Sequence, residues 1–118
     1  MTHQNPQRGE IWLVSCDPQV GEEIQKTRPA LVLSINSMAK LKTRYVVPIR
    51  DMKDFHSAVY YYYPLQPNRE NKLQKPSSAD CTQAKSVSLQ RFVKATGGKI
   101  SASDLKEIAD TVGYLLGL

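Results

Sequence analysis

Three short apolar runs near the N-terminus, Glu10–Ser15, 30–35 and 44–49, constrain the fold of this chain more than any other feature. Glu10-Ile11-Trp12-Leu13-Val14 combines an apolar run with one large aromatic, as a half-buried or fully buried strand does, and places Trp12 in the core. Ala30-Leu31-Val32-Leu33-Ser34-Ile35 is nearly continuous in its apolar character and suits the middle of a sheet. Tyr45-Val46-Val47-Pro48-Ile49 forms a third strand. Pro48 cannot donate a ladder hydrogen bond, which points to an edge, a bulge or the end of the strand. Between the first two runs lies a polar loop, 17–28, too long for a tight hairpin and carrying Gly21, Glu22, Glu23, Lys26 and Arg28. Loops of that length without structure of their own are more often functional than idle. Pro29 fixes its own φ and pushes Arg28 toward an extended conformation, so the guanidinium is held at the mouth of a strand. One fixed cation so placed suits a phosphate or a carboxylate.

Downstream, the chain reads less evenly. Residues 38–43 form a short polar connection. Val59-Tyr60-Tyr61-Tyr62-Tyr63 has high β-propensity, and alternation sets Tyr60 and Tyr62 on one face and Tyr61 and Tyr63 on the other. One pair can pack inward while the other packs outward or stacks on bases or a partner chain. Pro64 and Pro67 end that run, and 66–78 reads as a mobile surface loop rich in charge and proline. Residues 80–88 form a candidate strand with weak alternation, and Gly97-Gly98 a flexible turn. The clearest helix is C-terminal. Ser101 caps it, with Asp104 as the partner of a capping box, and Ile100 with Leu105 forms a hydrophobic staple. Leu105, Ile108, Val112, Leu115 and Leu116 follow one apolar face, and Gly117 is a stop signal. Several strands followed by one helix indicate a small, strongly curved antiparallel sheet or barrel with a terminal helix over one face.

A length of 118 residues favours a single domain over 1–118, with 1–7 as a flexible leader. No apolar run approaches the length that spans a bilayer, and 1–7 lacks the apolar core of a secretory signal, so a cytoplasmic location without membrane attachment is expected. Cys16 and Cys81 have neither CxxC nor Cys/His spacing, as two reduced thiols rather than a disulfide or a metal site. Sixteen Lys and Arg against eleven Asp and Glu give a net charge of +5, spread along the chain rather than gathered in a tail. A folded basic chain of this size favours polyanionic partners, nucleic acid foremost, though a solvated positive surface gives the same count.

Several separate short motifs carry a resemblance. Arg8-Gly9-Glu10-Ile11-Trp12, Asp17-Pro18, Gly21-Glu22-Glu23 and Arg28-Pro29-Ala30-Leu31-Val32-Leu33-Ser34 resemble, in order and spacing, the N-terminal half of the MazF/PemK family of toxins from bacterial toxin–antitoxin pairs. Gln83-Ala84-Lys85-Ser86 and Gln90-Arg91-Phe92 extend the match, whereas 51–77 fits poorly. The resemblance implies a mainly β fold, an SH3-like small barrel with a C-terminal helix, and a homodimer. It implies an endoribonuclease that cuts single-stranded mRNA selectively, without metal or cofactor, leaving a 2′,3′-cyclic phosphate and a 5′-hydroxyl. It also implies a cognate antitoxin with an acidic, partly disordered C-terminal segment and, through that antitoxin, operator DNA.

Cutting RNA in this way requires a base for the 2′-hydroxyl proton, an acid for the leaving 5′-oxygen and fixed donors for the phosphorane charge. Arg28 stands at the position of the family's catalytic arginine. Glu23 matches an acidic position and either orients Arg28, acts as base, or is a surface carboxylate paired with Lys26. The third strand departs from the family: where members usually carry a catalytic threonine, this chain has Arg50. An arginine supplies several donors and a charge to the same phosphate but lacks a hydroxyl's size and proton-shuttling ability; Ser57 and Thr43 are the hydroxyls that could compensate, though the sequence places neither in the site. Gln25, Lys26, Thr27, Lys53, Gln83 and Lys85 are the implied RNA-binding residues. His56, in the poorly matching stretch, reads as an exposed histidine rather than a catalytic one, and His3 carries no functional weight. Two other readings stay open. One is a degenerate member that binds RNA or antitoxin without cutting, and the other is a same-fold toxin that poisons DNA gyrase by protein binding.

Overall fold

The computed structural model describes residues 4–15, 27–54 and 58–118. Along them run β1 (Glu10–Ser15), β2 (Thr27–Val32), β3 (Thr43–Asp51), β4 (Tyr62–Leu65), β5 (Ser77–Asp80), β6 (Lys85–Ser88), β7 (Phe92–Lys99) and α1 (Ala102–Leu115). The strands pair antiparallel in the order β4-β5-β3-β2-β1-β7, with β6 also on β3. This path has two ends, so the expected barrel is an open one, mainly β and closed off on one side by the helix.

The long strand β3 organises the sheet. On one side it pairs with β2 through Val46, Val47 and Pro48. On the other it pairs first with β6, from Thr43 to Val46, and then with β5, from Ile49 to Asp51. Pro48 falls where the outer partner changes, a place at which a missing N–H interrupts no continuous ladder. It therefore lies inside a strand that runs on to Asp51, not at the strand's end.

Alternation along these strands divides the interior in two. Ile11, Leu31, Val47 and Ile49 point to one side, where Ile108 and Val112 of α1 cover them. Trp12, Val14, Ala30, Val32 and Val46 point to the other, where Phe92 packs edge-on to Trp12 with ring centroids 5.7 Å apart. Each fully buried aliphatic side chain contributes about 1.5–3 kcal/mol. The Trp12 indole N–H donates to Glu10 Oε1 at 2.9 Å, so the ring is buried without an orphaned donor.

Several boundaries differ from the sequence reading. β2 starts at Thr27 and stops at Val32, so Arg28 belongs to a strand and stands opposite Val14. The tyrosine strand begins at Tyr62 and continues through Pro64, while Tyr61 and Tyr63 pack against the core and Tyr60 is exposed. The candidate strand at 80–88 splits into the end of β5, a 3-10 turn over Cys81–Gln83, and β6. Gly97-Gly98 lies inside β7 rather than in a turn. A Cβ on Gly98 would sit 2.1 Å from the Asn71 carbonyl oxygen, so the strand needs glycine to approach the 66–76 loop.

That loop, expected to be mobile, is anchored. Buried Asn71 accepts from the Asn68 and Leu73 N–H groups at 3.0 and 2.9 Å and donates to the Gln66 carbonyl at 2.9 Å. Residues 4–7 of the expected leader are tied down as well. The buried Arg44 guanidinium donates to the Pro6 carbonyl at 3.0 Å and to Asn5 Oδ1 at 3.0 Å.

The helix begins as its sequence indicates, with the Ser101 hydroxyl accepting from the Asp104 N–H at 3.2 Å. The Asp104 carboxylate does not close a capping box; it accepts from the Tyr63 hydroxyl at 2.6 Å and ties α1 to β4. At the other end Gly117, with φ +82°, ends the helix, as Leu118 N–H donates to the Gly113 carbonyl and Gly117 N–H to that of Tyr114. Ile108 and Val112 are buried, whereas Leu115 and Leu116 of the expected apolar face are exposed.

Candidate active site

Strand register brings the two arginines together. The last paired residues of β2 and β3 are Ala30 and Pro48. Two residues further on along each strand stand Arg28 and Arg50, at positions that would face each other if the ladder continued. With a side-chain period of two, both share the face of their pair. They line one cleft of about 450 Å3 together with Lys53, Gln83, Lys85, Asp51 and Asp80. Four cations and two carboxylates line it, a balance of +2. Cations gathered in one cleft repel one another unless an anion lies among them.

Asp80 holds one of the arginines. Its side chain is 1% exposed, and Oδ2 accepts from Arg50 Nη1 at 3.2 Å, while the Arg50 side chain remains 49% exposed. The other oxygen, Oδ1, accepts from the Thr82 N–H at 3.1 Å and from the Thr82 hydroxyl at 2.6 Å. A buried carboxylate with every contact supplied is stable where an unpaired one would not be. Asp51, the second acid of the cleft, pairs outward with Lys75 at 3.0 Å. Among the described residues no carboxylate pairs with Arg28. Next to Asp80, burial and then the Asp80 charge push the Cys81 thiol up to about 11, which keeps it protonated and unreactive near neutral pH.

Of the expected site residues, Arg28, Arg50, Lys53, Gln83 and Lys85 line this cleft. Thr27 does not: it is exposed on β2 opposite Ser15, one residue out of phase with Arg28. Glu23, Gln25 and Lys26 lie outside the described residues, as do Cys16, His56 and Ser57. Thr43 stands at the far end of β3, paired with Ser88, and does not line the cleft. Asp80 was missed. Its sequence signal was a single carboxylate closing the small-residue run Ser77-Ser78-Ala79, but nothing local names Arg50 as its partner. Among the described residues no group of three His, Cys, Asp or Glu side chains is placed to hold a metal ion.

Residues 7–116 match the family model described as PemK-like, MazF-like toxin of type II toxin-antitoxin system. The chain belongs to this family. The MazF/PemK match covers the arginine strands, the cleft and the helix alike. One relative, endoribonuclease MazF9 of Mycobacterium tuberculosis, is 30% identical over 114 residues, spanning 94% of this chain and 96% of its own. Among solved structures, a MazE-MazF crystal structure from Deinococcus radiodurans superposes with a TM-score of 0.78 at 21% identity, covering 98% of this chain and 99% of that one. An endoribonuclease in complex with its cognate antitoxin from a mycobacterial species gives a TM-score of 0.71 at 14% identity over 96% of each chain. The open, helix-capped β fold is thus the MazF fold.

Proposed function

We propose that this chain is the toxin of a type II toxin–antitoxin pair and acts as an endoribonuclease on single-stranded RNA. The observation that carries the reading is the convergence of Arg28 and Arg50, each two residues beyond the last β2/β3 rung, on one cation-lined cleft. The 2′-oxygen attacks the adjacent phosphorus as its proton passes to a base, the P–O5′ bond breaks, and the 5′-oxygen takes a proton from an acid and leaves as a hydroxyl. The products are a 2′,3′-cyclic phosphate and a 5′-hydroxyl, and the balance requires no water, metal or cofactor. Arg28 and Arg50 donate to the phosphate oxygens as their charge grows, with Lys53 and Lys85 alongside to hold the neighbouring backbone. Purified protein incubated with a long single-stranded RNA in EDTA yields fragments with 5′-hydroxyl ends. Intact RNA at stoichiometric protein rejects the reading.

Arg50 favours a second reading, a family member that binds RNA or antitoxin without cutting. A guanidinium in place of the hydroxyl keeps phosphate affinity and forfeits a small proton-transfer group. RNA bound but uncut by the wild type, and cut once Arg50→Thr is made, establishes that alternative.

The family and the antitoxin-bound relatives support an acidic antitoxin segment as the partner that fills the cation-lined cleft. Such a segment imitates RNA's charge and orders on binding. The gene beside this one is expected to encode a short protein with an acidic C-terminal part; co-expression yields a complex at low salt that weakens as salt rises, and two uncomplexed proteins reject the partner. A second copy of this chain fits the apolar surface formed by exposed Ile35, Met38 and Leu41, which continues across Tyr45 to Leu115 and Leu116.

A further inference from the structure

The ion pair in the cleft is asymmetric, and that asymmetry has a use. Arg28 and Arg50 line the same cleft, yet among the described residues Arg50 has a carboxylate partner and Arg28 has none. That carboxylate is itself immobilised. Asp80 is almost wholly buried, and Thr82 takes its Oδ1 with both a backbone N–H and a hydroxyl. Asp80 also closes β5, directly after the rungs Ile49↔Ala79 and Arg50↔Ser78, so the backbone under it is held by the same sheet that carries Arg50. The other oxygen, Oδ2, accepts from Nη1 of the guanidinium at 3.2 Å. One donor nitrogen is thereby committed, and the half-exposed remainder of the fork faces the cleft.

We infer that Asp80 is a positioning residue for Arg50: clamped by Thr82, it fixes the Arg50 guanidinium so that its remaining N–H groups meet the scissile phosphate. The inference rests on the ribonuclease reading of the cleft. A long arginine side chain has many rotamers, and an unheld guanidinium would be ordered at the moment of reaction at an entropic cost. The carboxylate meets that cost in the folded protein and offsets part of the repulsion between the two arginines. It also lowers the cleft's charge, so it trades phosphate affinity for orientation.

The trade gives a signature that a purely structural role would not produce. Asp80→Asn keeps the size of the side chain and removes its charge, so the cleft loses one of its two acids. The chain binds a 2′-deoxy oligonucleotide, which cannot be cut, as tightly as wild type or tighter. Its kcat on the matching RNA falls by about 10- to 100-fold, because Arg50 is no longer held in the productive geometry. In an Arg50→Ala background the same substitution changes kcat by less than about twofold, since two residues acting through one group are not additive. Thr82→Val removes only the hydroxyl and moves kcat the same way by a smaller factor, which covers the case of an Asp80→Asn chain that fails to fold. Equal loss of kcat from Asp80→Asn with and without Arg50 overturns the inference and leaves the ribonuclease reading standing, as does parallel weakening of affinity and kcat. Wild-type protein that cuts no RNA removes the ribonuclease reading, and this inference with it.

Discussion

Arg28 and Arg50 differ in how each is held, and their variants are expected to differ accordingly. Arg28 is fixed through its backbone, by extended strand geometry and the following Pro29, and is exposed. Arg28→Ala lowers the cleavage rate by roughly two to three orders of magnitude, or about 2–4 kcal/mol of transition-state stabilisation. The thermal midpoint stays near that of wild type, because no core contact is lost. Initial rates on a defined RNA and a melting curve check both halves, and unchanged cleavage moves the active site elsewhere. Arg50→Ala weakens RNA binding as well as cleavage. It also leaves Asp80 as a buried carboxylate without its cation, so this variant, unlike Arg28→Ala, loses stability.

At the scale of elements, β7 and the 66–76 loop depend on each other. Gly98 approaches Asn71 so closely that a Cβ would meet backbone atoms, not a side chain that can swing away. Asn71 in turn organises its loop through three side-chain hydrogen bonds, two accepted by Oδ1 and one donated by Nδ2. Gly98→Ala therefore destabilises the chain by roughly 1–3 kcal/mol, the usual penalty for overpacking a site that cannot relax. Urea unfolding at constant m-value checks it, and an unchanged midpoint shows the loop to be free to move away. The link between α1 and β4 is of another kind. Burial first, and then the hydrogen bond and charge of Asp104 together with the charge of Glu107, push the Tyr63 hydroxyl from 10.0 up to about 12.

For the whole molecule that shift is a dependence of stability on pH. Between about pH 10 and 12 the folded chain retains a Tyr63 proton that the unfolded chain has lost, so stability falls as pH rises through this window. Cys81 adds a fall of the same sign between about pH 9 and 11. Thermal midpoints from pH 8 to 12 decline, and Tyr63→Phe flattens the upper part of the decline; identical slopes in the two proteins rule out the Tyr63 contribution. Assembly belongs to this scale too. Sedimentation of the wild type at micromolar concentration gives twice the chain mass of 13.3 kDa, and Leu41→Glu, which puts a charge on the exposed apolar surface, gives the single chain. A wild type that stays monomeric rejects the dimer.

The sequence by itself determined the β1 strand, the cap and stop of α1 and the family, because each is written in short motifs of neighbouring residues. Ser101 caps through an N–H three positions on, and Gly117 ends the helix by a φ that glycine adopts without strain. Pro29 likewise extends Arg28 from the next position. Other features were hidden because their cause lies far along the chain. Gly97-Gly98 resembled a turn, since the Asn71 backbone that requires glycine there is distant in sequence. The 66–76 loop and residues 4–7 looked loose, because composition does not show a buried Asn71 or an Arg44 reaching back to Pro6. Asp80 was the costliest miss. That a carboxylate on β5 would lie under Arg50, thirty residues earlier, was decided only when β3 exchanged β6 for β5 beyond Pro48. Local steric and capping preferences act within a turn or two of chain, whereas the pairing of buried charges is set by strand register, and register exists only in the folded sheet.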